Sequence, residues 1–170
     1  CSTAIATQAE DLIAGGVKEL IHVGYAGGLQ PELVPGEIIL TDGAFNDTAV
    51  ARLYGYDYDI IHSSKDLTNE IEEMITSAEI LYKRGIHWTT DAGYRETWGQ
   101  VMDYRDKGAL CVEMEGVGLF TIANYRKCVA TGIYVVSDVY LEDDWKLGWE
   151  GNDIKKAVGE IIDMIIKSIR

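Results

Sequence analysis

The chain has little of what marks a special environment. Only three of its 170 residues are cysteine, Cys1, Cys111 and Cys128. That odd number without metal-ligand spacing argues against a disulfide framework or a thiolate metal site, and buried, inert thiols are expected. The three histidines, His22, His62 and His87, have no mutual spacing that would hold a metal and are expected to be structural or on the surface. No metal site is therefore expected, and no organic cofactor is implied. No apolar run reaches the roughly eighteen residues of a membrane span, and no basic stretch leads into an apolar core as in a signal peptide. A cytoplasmic protein without membrane contact is expected. Basic residues are scarce too: 15 Lys and Arg face 28 Asp and Glu, leaving a net charge of −13. Such a chain repels phosphate backbones, which excludes nucleic acid as the natural partner and leaves a small molecule. An initiator Met is also missing. Because a helical pattern follows Cys1 at once, with no flexible tether, the reading is a truncated parent rather than a mature lipoprotein.

What is present is a single domain's worth of core, with 47% apolar residues and neither repeats nor low-complexity segments. Apolar residues at helical spacing run over 3–14 and stop at Gly15-Gly16. Strands are predicted at 18–24 and 37–45, separated by a loop holding Gly27-Gly28 and both prolines, Pro31 and Pro35. Asp66 is expected to cap a long helix reaching Gly85, followed by a strand at 86–91, a helix at 97–107 and a strand at 109–113. A helix from about Glu115 to Tyr125, a strand at 128–137 and a final helix from about Asn152 complete the order. On that last helix Ile154, Ala157, Val158, Ile161, Ile162, Ile165, Ile166 and Ile169 share one side and read as core. Residues 139–152, acidic and aromatic, form the one long irregular region, a mobile lid or a subunit contact. Strands alternating with helices predict an α/β fold with a mixed sheet.

Ligands of α/β sheets bind outside the carboxyl ends of strands. There the chain places Gly24-Tyr25-Ala26-Gly27-Gly28, Thr90-Asp91, Glu113-Met114-Glu115 and Ser137-Asp138. Each has an ordinary explanation when taken singly: a tight turn, a cap, a core methionine. The two glutamates do not, because buried carboxylates are costly unless they are paired or meet a ligand. A carboxylate at a helix start is stabilised as an anion and accepts hydrogen bonds at two oxygens, which suits the cis-diol of a ribose. Met114 offers a deformable apolar surface to the sugar.

These segments, GYAGGLQPELVPGEIILTDGA, TTDAGYRE, CVEMEG and YVVSDV, resemble in order and spacing the nucleoside phosphorylase family, which includes purine nucleoside phosphorylases, uridine phosphorylases and methylthioadenosine/adenosylhomocysteine nucleosidases. The resemblance covers nearly the whole chain. It implies a three-layer Rossmann-like phosphorylase fold, a mixed central sheet flanked by helices, in one domain over 1–170 that lacks the family's N-terminal strands. It implies cleavage of an N-glycosidic bond by inorganic phosphate, giving free base and ribose 1-phosphate. By motif match, Glu115 binds the ribose hydroxyls with Glu113 nearby and Met114 against the sugar, and Gly24, Tyr25, Ala26 and Gly27 form the phosphate loop. Thr90, Gly93, Tyr94, Val112 and Ser137 line the base, and Asp138 protonates it at N7 as it leaves.

Asp138 favours a purine, because pyrimidine-specific members lack this Asp and carry a Gln and an Arg that GYRETWGQ does not supply in that arrangement. The family implies a homo-oligomer built from dimers, in some members a hexamer. The chain departs from the pattern at His22 and Tyr25, where phosphorylases carry the phosphate-contacting Arg and a Ser or Thr, and at Gly93, where an aromatic residue stacks on the substrate. Two alternatives follow: a nucleosidase using water as nucleophile, as its GSAGGL-like loop allows, and a non-catalytic nucleoside-binding or assembly module.

Overall fold

The computed structural model describes residues 1–141, 145–148 and 151–168. In chain order the elements are α1 (Ser2–Ala14), β1 (Glu19–Gly28), β2 (Ile38–Asp47), α2 (Val50–Leu53), β3 (Ile60–His62), α3 (Lys65–Ser77) and β4 (Tyr82–Thr90). A 3-10 turn (Gly93–Arg95) follows, then α4 (Trp98–Asp106), β5 (Cys111–Glu113), α5 (Gly116–Arg126), β6 (Val129–Tyr140), β7 (Trp145–Leu147) and α6 (Asn152–Ser168).

The strands form a seven-stranded mixed sheet in the order β3-β2-β4-β5-β1-β6-β7. β1 runs parallel to β6, and β4 runs parallel to both β2 and β5. β2 also meets β6 antiparallel, Ile38 opposite Val135, so β2, β4, β5, β1 and β6 close into a ring. Helices cover the sheet in two groups. α1, α2 and α5 enclose a core around Val117, Phe120 and Ile122, while α3 and α6 enclose another around Leu67, Ile71, Ile133 and Ile161. No helix among the described residues is long and apolar enough to cross a membrane.

Most predicted elements are found within a residue or two, and the departures have physical causes. The helix expected from Asp66 to Gly85 stops at Ser77, and its N-cap position is Ser64. Glu79 turns left-handed at φ 56°, and Tyr82–Thr90 pairs along β2 instead. Sheet pairing here overrides the helical character of EILYKR. The first strand does not open into a glycine loop at Gly24, because pairing with β6 continues to Gly28. β6 likewise runs on through Ser137-Asp138 to Tyr140. On α6, Ile154, Ala157 and Ile161 are buried and Val158 and Ile165 partly so, but Ile162 and Ile166 are 42% and 47% exposed. A helix lying on one layer covers only a stripe of its surface, and the predicted stripe was too wide. Ile169 lies outside the described residues. Cys111 and Cys128 are buried, whereas Cys1 is exposed. Of the expected irregular region, 139 and 140 belong to β6 and 145–147 to β7, and residues 142–144, 149 and 150 of the expected lid or contact lie outside the described residues.

Candidate active site

Glu113 ends β5 and faces inward. Its side chain is 1% exposed and its Oε1 lies 3.0 Å from Nε2 of His87, which is fully buried. The carboxylate also accepts from the Thr89 hydroxyl at 2.5 Å and from the backbone N–H groups of Glu115 (2.7 Å) and Gly116 (2.8 and 3.0 Å). It therefore caps the first turn of α5, where donors are otherwise orphaned. Burial alone would raise its pKa, but the facing His87 and the bonds from His87, Thr89 and the Glu115 N–H outweigh burial and hold the carboxyl below its ordinary value. A carboxylate only accepts, so Nε2 of His87 carries the proton in this contact. Nδ1 of His87 sits 2.6 Å from the Thr41 hydroxyl, which donates to the Gly43 carbonyl. Gly116 must lack a side chain here, since a Cβ would lie 2.5 Å from Nε2 of His87.

Glu115 is placed differently. It occupies the N-cap position of α5, and its side chain is 30% exposed. Oε1 meets the amino group of Cys1 at 2.5 Å, and Oε2 accepts from the Met114 N–H at 3.3 Å. The Ser2 hydroxyl donates to the Met114 carbonyl at 3.2 Å, so the start of α1 sits beside this turn. Met114 is half-buried, and its sulfur lies 3.9 Å from the point a Cβ on Gly93 would take.

Asp138 closes the other side of the corner. Its Oδ1 accepts from the Ser137 hydroxyl at 2.5 Å, and the same hydroxyl is 3.3 Å from the Ala26 carbonyl. Oδ2 stands 3.3 Å from where a Cβ on Gly27 would be, with Val112 Cγ1 at 3.4 Å and Tyr140 Cε2 at 2.9 Å from that point. Gly27 pairs with both Asp138 of β6 and Val112 of β5. The missing side chain lets three strands converge on one carboxylate.

Of the sequence-predicted residues, Gly27, Val112, Ser137 and Asp138 thus meet in one corner, with Ala26 behind it, Met114 and Gly93 adjoining each other, and Glu115 next to Met114 at the start of α5. Others do not join them. The Tyr94 side chain is fully exposed, and Thr90 is buried with its hydroxyl accepting from the Ala92 N–H. Tyr25 is 48% exposed, and Gly24 lies against the His22 ring. His22 packs edge-on against Tyr134, ring centroids 5.6 Å apart, and burial pushes its pKa down. Burial and the nearby Glu113 push the Tyr134 hydroxyl well up.

Sequence reasoning expected His87 to be structural or on the surface, as it is, without seeing its partner Glu113, and it missed Thr89, Glu96 and Tyr140. The alternation in HWTT, which sends His87 and Thr89 to one face of β4 beside Glu113, carried the signal for those two. A groove of about 1070 Å³ between α3 and α6 lies elsewhere, beside Ile38 and Tyr82 at the opposite ends of β2 and β4. The converging carboxyls mark the site better than that volume does. Among the described residues no group of three His, Cys, Asp or Glu side chains could hold a metal.

The family model described as "Phosphorylase superfamily" matches residues 2–167. A "Purine nucleoside phosphorylase DeoD-type" of Exiguobacterium sibiricum is 34% identical over 125 residues, 72% of this chain and 53% of that protein. One of the same name from Bacillus cytotoxicus is 32% identical over 124 residues, again 72% and 53%. The chain thus spans about half the length of these curated relatives. A solved structure described as the P knowlesi homolog of P falciparum PNP superposes with a TM-score of 0.81 at 22% identity, over 96% of this chain and 65% of that one. At that identity the likeness is one of fold.

Proposed function

The chain belongs to the phosphorylase superfamily, and from that premise we propose that the parent protein is a nucleoside phosphorylase splitting a purine nucleoside with inorganic phosphate. The observation that carries this reading is the corner in which Ser137 holds Asp138 beside Gly27 and Val112. The purine-phosphorylase names of the relatives support the base class.

In this reading phosphate oxygen bonds to the anomeric carbon as the bond to the base nitrogen breaks, and the bonding pair leaves with the base. Asp138 gives its proton to N7, which neutralises the departing charge and is worth about 10²–10⁴-fold. Ser137 donates to Oδ1, and Oδ2 lies toward Gly27, on the side where this reading places the base. Glu115, partly exposed at the start of α5, accepts from the ribose hydroxyls, and Met114 lies along the sugar. Glu113 is committed to His87 and the α5 N–H groups, so its part is to hold the turn that presents Glu115. No cofactor is required, phosphate being a co-substrate. Cytoplasmic location and assembly from dimers belong to the same reading, and the molar mass in solution tests the latter.

One observation favours hydrolysis as a second reading. His22, held as a partly buried imidazole against Tyr134, stands at the position of the family's phosphate-contacting Arg, and its lowered pKa disfavours the cation. Base release from adenosine, inosine, uridine and methylthioadenosine, with and without phosphate, separates the two. Phosphate-dependent release from the purine nucleosides is expected. Equal rates without phosphate would replace phosphorolysis by hydrolysis, and a nucleoside panel that stabilises the protein without turnover would leave only binding.

A further inference from the structure

Beside Asp138 stands a second carboxyl group to which no role has been given above. Glu96 follows the 3-10 turn Gly93–Arg95 and immediately precedes Thr97, the N-cap of α4. Its Oε2 accepts from the Tyr140 hydroxyl at 2.7 Å, and its Oε1 lies 3.5 Å from the Cβ position of Gly93, the same point that Met114 sulfur approaches to 3.9 Å. Tyr140 in turn borders Gly27 together with Asp138. Glu96 and Asp138 therefore flank one corner, with the Tyr140 ring edge beside it.

The placement is rigid. Thr97 and Gln100 form a reciprocal capping box at the start of α4. Arg105, on the same helix, ties α4 to the sheet by donating to the carbonyls of Leu29 at 2.5 Å and Tyr140 at 2.6 Å. Its guanidinium is thus engaged with carbonyls rather than with Glu96. Burial raises the Glu96 pKa, the Tyr140 bond lowers it, and the neighbouring Asp138 raises it again.

Resting on the phosphorylase reading, we propose that Glu96 is the specificity-determining residue of the base site, accepting a hydrogen bond from an amino group at C6 of the purine while Asp138 donates to N7. On its outer edge a 6-aminopurine offers an acceptor at N7 and a donor at the adjacent amino group, whereas a 6-oxopurine offers two acceptors. One protonated and one ionised carboxyl complement the first edge. Against the second, the ionised group faces an oxygen and must take up a proton or leave two acceptors in contact.

Glu96→Gln tests this. Tyr140 donates, so it selects the flip that keeps the amide oxygen on its hydroxyl and turns the amide nitrogen to the place of Oε1. The variant then offers a donor where Glu96 accepts. Wild-type full chain is expected to favour adenosine over inosine in kcat/KM. In Glu96→Gln that ratio is expected to fall by about 10- to 150-fold, the range of a hydrogen bond to a charged group. A ratio within about twofold of wild type overturns the proposal. Tyr140→Phe removes only the hydroxyl that anchors Glu96 and serves as a second variant, with partial loss of the preference expected at a near-native melting temperature. Calorimetric binding of adenine and hypoxanthine separates this inference from the reading beneath it. Tighter adenine binding that Glu96→Gln reverses supports the proposal even where no phosphorolysis occurs, and equal affinities overturn it while leaving phosphorolysis standing. Binding of neither base overturns both.

Discussion

Glu113→Gln is a near-isosteric change whose cost follows from the donors around it. Oε1 accepts from His87, Thr89 and Gly116, and Oε2 from the N–H groups of Glu115 and Gly116. Every neighbour is a donor, so either flip of the glutamine amide sets its NH₂ against N–H or O–H groups. His87, fully buried, also loses the carboxylate opposite it. Leaving two or more of these buried donors without an acceptor costs about 3–5 kcal/mol in total, at about 1–3 kcal/mol for each unsatisfied group. Domains of this kind are stable by about 5–15 kcal/mol in total. At about 2–4 °C per kcal/mol for this size, the variant should melt roughly 6–20 °C below wild type. Urea unfolding followed by far-ultraviolet circular dichroism and by tryptophan fluorescence gives the free energy and checks that one transition is seen. A double-mutant cycle with His87→Leu should show coupling of about 0.5–3 kcal/mol, because the two residues share one network. Melting within a degree or so of wild type, combined with weakened nucleoside binding, would refute the reasoning. That pattern belongs to a glutamate that grips ribose, not to one that braces a helix.

Asp138→Asn should lower turnover of purine nucleosides by about 10²–10⁴-fold while leaving their binding within a few-fold, and unchanged turnover in a steady-state assay removes Asp138 from the mechanism. Gly27→Ala places a methyl 2.9 Å from Tyr140 Cε2 and 3.3 Å from Asp138 Oδ2. A destabilisation of about 1–3 kcal/mol together with loss of activity is expected, and a fully stable, fully active variant would show that the corner is not the site. His22 should make stability depend on pH, because burial lowers its pKa below the ordinary 6.5. Between those values the unfolded chain binds a proton that the folded chain does not, so stability falls as pH drops through 6.5 until the folded imidazole also titrates. His22→Gln should flatten that part of a melting-temperature profile, and an unchanged slope assigns it to other groups.

The fold was legible where one periodicity dominated. α1 and the buried part of α6 show helical spacing, and β2 and the first half of β6 are apolar runs between turn residues. It was not legible where pairing decides. Nothing local in EILYKR separates a helix end from a strand, and only the parallel partnership of Ile38–Thr41 with Tyr82–Gly85 does so. The closure of β2 onto β6 is likewise invisible in a one-dimensional pattern, since residues about a hundred positions apart make it. Gly27-Gly28 carried a turn signal and proved to be strand, because there glycine serves the close approach of neighbouring strands and not a reversal of the chain.

The two glutamates of CVEMEG show the same limit at the scale of a site. Their positions, two apart, suggest one face and one role, as they would in a regular strand. Yet β5 ends at Glu113 and α5 begins at Gly116, so the backbone turns between them and the spacing no longer predicts direction. Glu113 is drawn in by groups that belong to other segments, His87 and Thr89 of β4, while Glu115 stays partly exposed beside Met114. The division follows from energetics. A partly exposed carboxylate at a helix start keeps its direction only if the backbone there is fixed, and that needs the free N–H groups of the first turn to be satisfied. Glu113 satisfies them from within, and His87 offsets the burial of its charge. One acid is held in the interior and braces the turn, and the other is left partly exposed at its edge.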